Sequence, residues 1–231
     1  MKKLAIVLAA VVAFSFSNAA SAADMPVKGF RAPITASYNW TGFYVGFEGG
    51  AGWGDTQHTN VSNGGNSGTS NINGGLFGGT YGYNMQFGTW VIGIEGDISW
   101  SGIKKDFNDN NGSFFCSGAV QCETQLRWLG TDRLRLGYAW DRLLVYGTAG
   151  VAYGSVRGTI TNAGFPDGST SRTGFIYGGG VEWAFVPKLS VKAEYLRADL
   201  GDKVTYTSVE SVSLKNLNIF RVGINYNFGG L

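Results

Sequence analysis

Residues 218–228 read N-I-F-R-V-G-I-N-Y-N-F. Phe220, Val222, Ile224, Tyr226 and Phe228 fall on one side of an extended chain, and Arg221, Gly223, Asn225 and Asn227 on the other. A period of two is the signature of a β-strand whose faces meet different surroundings. In a soluble sandwich the apolar face would pack on a second sheet. In a membrane barrel it meets lipid while the polar face lines the lumen. The choice between these rests on the rest of the chain.

The pattern recurs upstream. Over 41–53, Phe43, Val45, Phe47 and Ala51 oppose Tyr44, Glu48 and Gly50; over 75–87, Phe77, Tyr81, Tyr83, Met85 and Phe87 oppose Thr80, Asn84 and Gln86. Over 90–100, Trp90, Ile92, Ile94, Ile98 and Trp100 oppose Glu95, Asp97 and Ser99; over 124–138, Leu126, Trp128, Leu134, Leu136 and Tyr138 oppose Arg127, Arg133 and Arg135. Stretches 143–153, 175–185 and 189–197 complete a set of eight with 220–228, an even number that a closed barrel can use. Polar connections at 54–71, 102–122, 158–171 and 201–216 alternate with tight turns near Gly88-Thr89, Trp140-Asp141 and Pro187-Lys188. Outer-membrane barrels sort their connections in this way, with long loops outside and short turns in the periplasm. The expected fold is an all-β, eight-stranded antiparallel up-and-down transmembrane barrel.

The N-terminus carries an export signal. Lys2 and Lys3 precede an apolar run, and Ala20-Ser21-Ala22 is a small-x-small cleavage site. Residues 1–22 are expected to be removed, 23–39 to form a loosely ordered periplasmic lead, and 40–231 to form the barrel. The chain has 18 basic and 16 acidic residues. Loss of Lys2 and Lys3 balances them, which leaves no case for a nucleic-acid partner.

Aromatics beside the short turns predict a lipid–water girdle of Phe43, Tyr44, Phe87, Trp90, Tyr138, Trp140, Trp183, Phe185, Tyr226 and Phe228. The lumen register gathers Glu48, Glu95, Asp97, Glu182 and Glu194 with Arg127, Arg133, Arg135, Lys192 and Arg221. Five acids facing five bases in so narrow a barrel predict a salt-bridged plug, with a narrow pore as the alternative. Asp132 falls on the lipid face by strict alternation; either a bulge turns it inward toward Arg133 or Arg135, or it marks a protein contact.

The matching runs WTGFYVG (40–46), RLGYAWDRLLVYGTAGVAYG (135–154), GGGVEWAF (178–185), VKAEYLRADLG (191–201) and FRVGINYNF (220–228) resemble the small immunogenic, porin-like outer-membrane proteins of alphaproteobacteria such as rhizobia and brucellae. The resemblance implies an OmpA-like transmembrane barrel without a peptidoglycan-binding domain. It departs at the tail, where Gly229, Gly230 and Leu231 follow the last aromatic.

Cys116 and Cys122 share one loop, and the oxidising exported setting predicts a disulfide. No cofactor or metal is expected: His58 is the sole histidine, and residues 106–112 match a calcium loop poorly. Without a histidine–acid or histidine–serine constellation in sequence, no enzyme is expected. Three roles follow: a structural envelope barrel displaying four loops, a passive solute channel, or a surface-binding protein acting through its loops. Its partners would be outer-membrane lipid, lipopolysaccharide and the barrel-assembly machinery, with self-association left open.

Overall fold

In a computed structural model the described residues are 38–60, 66–107, 121–161, 168–200, 204–207 and 210–229. The strands are β1 (Gly42–Asn60), β2 (Asn66–Phe87), β3 (Trp90–Phe107), β4 (Gln121–Trp140), β5 (Leu143–Thr161), β6 (Gly168–Val186), β7 (Leu189–Asp199), β8 (Val204–Thr207) and β9 (Glu210–Asn227). Each of β1 to β6 pairs antiparallel with the next, β7 pairs with β9, and β9 returns to β1. That ring of eight is the barrel predicted by the alternation. The four-residue β8 is an arm hydrogen-bonded to the far end of β9. Closure leaves no barrel edge to face hydrocarbon, where unpaired backbone groups would be costly.

The seam is finished locally. The amide of Phe228 donates to the carbonyl of Phe43 at 2.8 Å, and their rings lie 5.7 Å apart. At the same end the connections are two residues long: 88–89, 141–142 and 187–188. Asp141 has φ 52°, a left-handed conformation that aspartate tolerates and a tight hairpin demands.

Two expectations about the chain path change. The connections at the other end are shorter than predicted, because pairing continues beyond the apolar stripe; Gln57 still faces Thr69 and Arg157 still faces Ser169. Once a strand leaves the lipid its outer face need not be apolar, so the alternation fades while the hydrogen-bond ladder goes on. The lead also ends differently. Residues 1–37 lie outside the described set, but Tyr38 and Trp40 are buried in the short-turn mouth. The Tyr38 amide donates to Asp141 Oδ1 at 2.8 Å, and Trp40 Nε1 donates to the Asp141 carbonyl at 3.0 Å. The end of the lead is therefore a stopper held by a hairpin turn. Burial, and then the nearby Glu182 carboxylate, push the Tyr38 phenol up to about 12.

Candidate functional site

The interior is built in three layers. The middle layer is ionic and has almost no solvent exposure. On β3, Glu95 accepts from Arg133, from Arg135 Nη1 at 3.0 Å and from Lys192 Nζ at 3.1 Å. Two residues along, Asp97 accepts from Arg133 Nη2 at 3.0 Å and Arg221 Nη2 at 2.9 Å, and from the Thr131 hydroxyl. Glu194 on β7 accepts from Arg221 Nε at 2.8 Å, Arg133 Nη1 at 3.5 Å and the Tyr146 hydroxyl at 2.6 Å. Glu48 on β1 accepts from Arg221 and is ion-paired with Lys192, whose Nζ stands 3.0 Å from Oε2. Glu182 on β6 accepts from Arg135 Nη2 at 2.7 Å, Ser190 Oγ at 2.6 Å and Asn225 Nδ2 at 2.8 Å. The Arg135 guanidinium also stands 3.9 Å from the centre of the Tyr146 ring.

Every carboxylate here faces two or more cationic or hydrogen-bonding partners, as ions withdrawn from water require. The strand period of two makes this possible, since Glu95 and Asp97, Arg133 and Arg135, and Lys192 and Glu194 each project inward from adjacent inward positions.

Two predicted positions are corrected. Arg127 is exposed and takes no part in this layer. Leu126 pairs with Val156 while Trp128 pairs with Ser155, so Arg127 is an extra residue that reverses the alternation. Such a bulge turns Leu126 inward and puts Arg127 outside. The layer thus contains five acids and four bases. Tyr44 is fully buried and is not part of the outer aromatic ring. Its hydroxyl donates to Glu95 Oε2 at 2.7 Å and accepts from Arg135 Nη1 at 2.6 Å. Its even position on β1 points it inward, one step from Phe43. The other nine girdle positions lie on the outer face at the short-turn end, in contacts such as Trp90 with Tyr138 at 5.5 Å and Tyr226 with Phe228 at 5.0 Å.

Above and below the ions the buried interior is mostly apolar, a feature not predicted from the inward residues, with Arg172 and Thr124 also buried toward the long-loop end and Asn84 and Asn227 toward the short-turn end. Toward the long-loop end lie Ile72, Leu76, Ile103, Leu126, Leu129, Ala152, Val156, Ile176, Leu196, Ala198, Leu200, Leu217 and Ile219. Toward the short-turn end lie Tyr38, Trp40, Val91, Ala139, Leu144, Tyr146 and Ala184. The void where Glu48 and Arg221 meet Leu76, Leu129 and Ile219 has a volume of about 10 Å³, about the least that holds one water. A wet path would have to hydrate this packing, at roughly 1.5–3 kcal/mol for each buried Leu or Ile.

A second aromatic ring, also missed, encircles the outer face: Trp53, Phe77, Trp100, Trp128, Tyr153, Phe175 and Tyr195. Trp53 stands 6.3 Å from Tyr195, and Trp128 stands 6.1 Å from Tyr153. The signal was legible as spacing. Phe43 and Trp53, Phe87 and Phe77, Trp90 and Trp100, Tyr138 and Trp128, and Phe185 and Phe175 are each ten residues apart. Ten strand residues at about 3.3 Å and a tilt near 40° span about 25 Å, the height of an outer-membrane apolar band.

Asp132 is exposed on the outer face between the rings, where its carboxylate accepts from the Tyr153 hydroxyl at 3.1 Å. It is not turned inward; the reversal of alternation falls five residues earlier, at Arg127. Cys116, the side chain of Cys122, the side chain of His58 and the side chains of 106–112 lie outside the described set.

A closed barrel with an apolar belt between aromatic rings defines a protein that lives in an outer membrane. The chain belongs to the family described as "Outer membrane protein beta-barrel domain", which matches residues 6–228. Within it, the chain is a member of the small alphaproteobacterial group. It is 35% identical to the 31 kDa outer-membrane immunogenic protein of Brucella melitensis biotype 1, over 96% of this chain and 99% of that protein. It is 32% identical to the 22 kDa outer membrane protein of Rhizobium leguminosarum bv. viciae, over 75% of this chain and 70% of that one. Among solved structures, outer membrane protein OprG from Pseudomonas aeruginosa shares the fold at 14% identity with a TM-score of 0.52, covering 82% of this chain and 97% of that chain.

Proposed function

We propose that this protein is a closed structural barrel of the outer membrane, without catalytic activity, that spans the lipid and holds its four longer connections outside the cell. The observation that carries this reading is the ionic layer sealed between two apolar layers. A passive channel needs a continuous wet path, and most of the residues that would line one are paired with each other or packed in hydrocarbon-like contacts. On this reading the belt between the aromatic rings contacts lipid acyl chains, and the long-loop rim meets lipopolysaccharide. Insertion depends on the barrel-assembly machinery. A disulfide between Cys116 and Cys122 would brace the loop between β3 and β4. A mass increase after alkylation without prior reduction would refute that bond.

Planar-bilayer conductance of the refolded protein tests the main reading, with folding verified by heat-dependent gel mobility. Folded protein is expected to be silent. Reproducible unitary steps whose size changes with Arg135→Ala or Glu95→Ala would overturn the sealed barrel.

A further inference from the structure

Between the two aromatic rings the outer face of the described residues is mainly apolar, and its charge falls in one sector. Among the described residues, Asp132 is the one charged side chain on that belt. On β4 it lies four residues from Trp128 and six from Tyr138, close to the middle of the band. A carboxylate at that depth is costly in hydrocarbon, and acyl chains offer it no hydrogen-bond donor.

The surroundings of Asp132 are organised. Tyr81, Gly96 and Asp132 occupy one register row across β2, β3 and β4. A Cβ on Gly96 would stand 2.5 Å from the Tyr81 ring and 2.9 Å from Asp132 Oδ1, and one on Gly130 would stand 2.4 Å from the Tyr153 ring. Only glycine lets the two phenols lean across the sheet toward the carboxylate. Tyr153 Oη already donates to Oδ2. Tyr81 and Tyr83 are half exposed and make no hydrogen bond among the described residues. The same sector therefore carries an under-coordinated acceptor and two unused donors, two strands apart. Ile94, Ile98 and Leu134 surround them with apolar surface.

We propose that this face, from β2 to β4, is the contact between two copies of the chain. The Asp132 of each copy accepts from the Tyr81 and Tyr83 hydroxyls of the other. An isologous contact requires that a surface complement itself, and this one does. A two-fold axis along the membrane normal, standing near Gly96, brings the Asp132 side of each face against the Tyr81 and Tyr83 side of the other. Each Asp132 then sits one strand spacing from the axis, so the two carboxylates stay about 10 Å or more apart. A second copy supplies at mid-depth what lipid cannot.

The test uses the full chain refolded into phosphatidylcholine vesicles free of lipopolysaccharide. Two pools carry donor and acceptor dyes at the N-terminus, and energy transfer is followed against protein-to-lipid ratio. The wild type should transfer above the level for randomly dispersed barrels. Asp132→Leu should weaken association about fiftyfold, a size suited to the four intramembrane hydrogen bonds lost per dimer, while heat-dependent gel mobility still reports a folded barrel. The double substitution Tyr81→Phe, Tyr83→Phe should weaken it similarly and carries the test if Asp132→Leu fails to fold. Wild type at the random level, or variants that associate like wild type, would overturn the proposal. Random dispersal here with capture of a lipid hydroxyl would assign the sector to lipid instead.

Discussion

Arg133→Met removes one cation from the sealed layer and puts a side chain of similar length in its place. Arg133 has no solvent-exposed side-chain surface. It donates to Glu95, to Asp97 Oδ2 at 3.0 Å, to Glu194 Oε1 at 3.5 Å and to Thr131 Oγ1 at 3.0 Å. The substitution leaves five carboxylates against three cations. Breaking a buried ion pair by removing one partner costs about 3–5 kcal/mol. Here each acid keeps another cation: Asp97 keeps Arg221 at 2.9 Å, Glu95 keeps Arg135 at 3.0 Å, and Glu194 keeps Arg221 at 2.8 Å. The expected loss is therefore about 3 kcal/mol, not the sum of three broken pairs. Adding Glu95→Gln to Arg133→Met removes one surplus acid and should restore about 1 kcal/mol. The assay is equilibrium urea unfolding in phospholipid vesicles followed by tryptophan fluorescence. A loss below about 1 kcal/mol, the size of an exposed ion pair, would mean that water reaches the layer, and the sealed interior would be refuted.

Two further perturbations separate the layers. Leu196→Ala in the apolar cap should cost about 2–5 kcal/mol in the same assay, as expected for a filled core position; a near-zero cost would indicate a loosely packed, wettable interior. Arg127→Ala should leave stability within about 0.5 kcal/mol of wild type, because its side chain points outward at the bulge. A loss as large as that of Arg133→Met would return Arg127 to the ionic layer.

The strands could be read from the sequence because lipid imposes a local rule. Phe220, Val222, Ile224 and their counterparts must be apolar wherever the outer face meets hydrocarbon, whatever lies across the barrel. The inward positions obey no such rule. Leu76, Leu196 and Ile219 take their character from residues on other strands, which the local pattern does not reveal. Glu95 and Arg133 were recognisable as inward charges because they lie within regular alternation. Arg127 was misplaced because a single extra residue reverses the pattern, and the adjoining Trp128 and Leu129 are both apolar. Tyr44 was misplaced for a simpler reason: nearness to the aromatic ring in sequence outweighed its parity, and parity decides which way a strand side chain points. The outer ends of β1, β2, β5 and β6 have the sequence character of loops because neither of their faces touches lipid, although their backbones remain paired.

The two aromatic rings, ten residues apart on five strands, also act on the membrane. A lone helix in a bilayer of the wrong thickness can tilt until its apolar length fits. A closed barrel banded on all sides gains little by tilting, since one wall rises as the opposite wall sinks. The surrounding lipids must stretch or shorten instead, at a fraction of a kcal/mol for each ångström of hydrophobic mismatch. The protein therefore works as a gauge: it sets the thickness of its own lipid annulus, and in a laterally uneven membrane it is sorted toward regions that already fit.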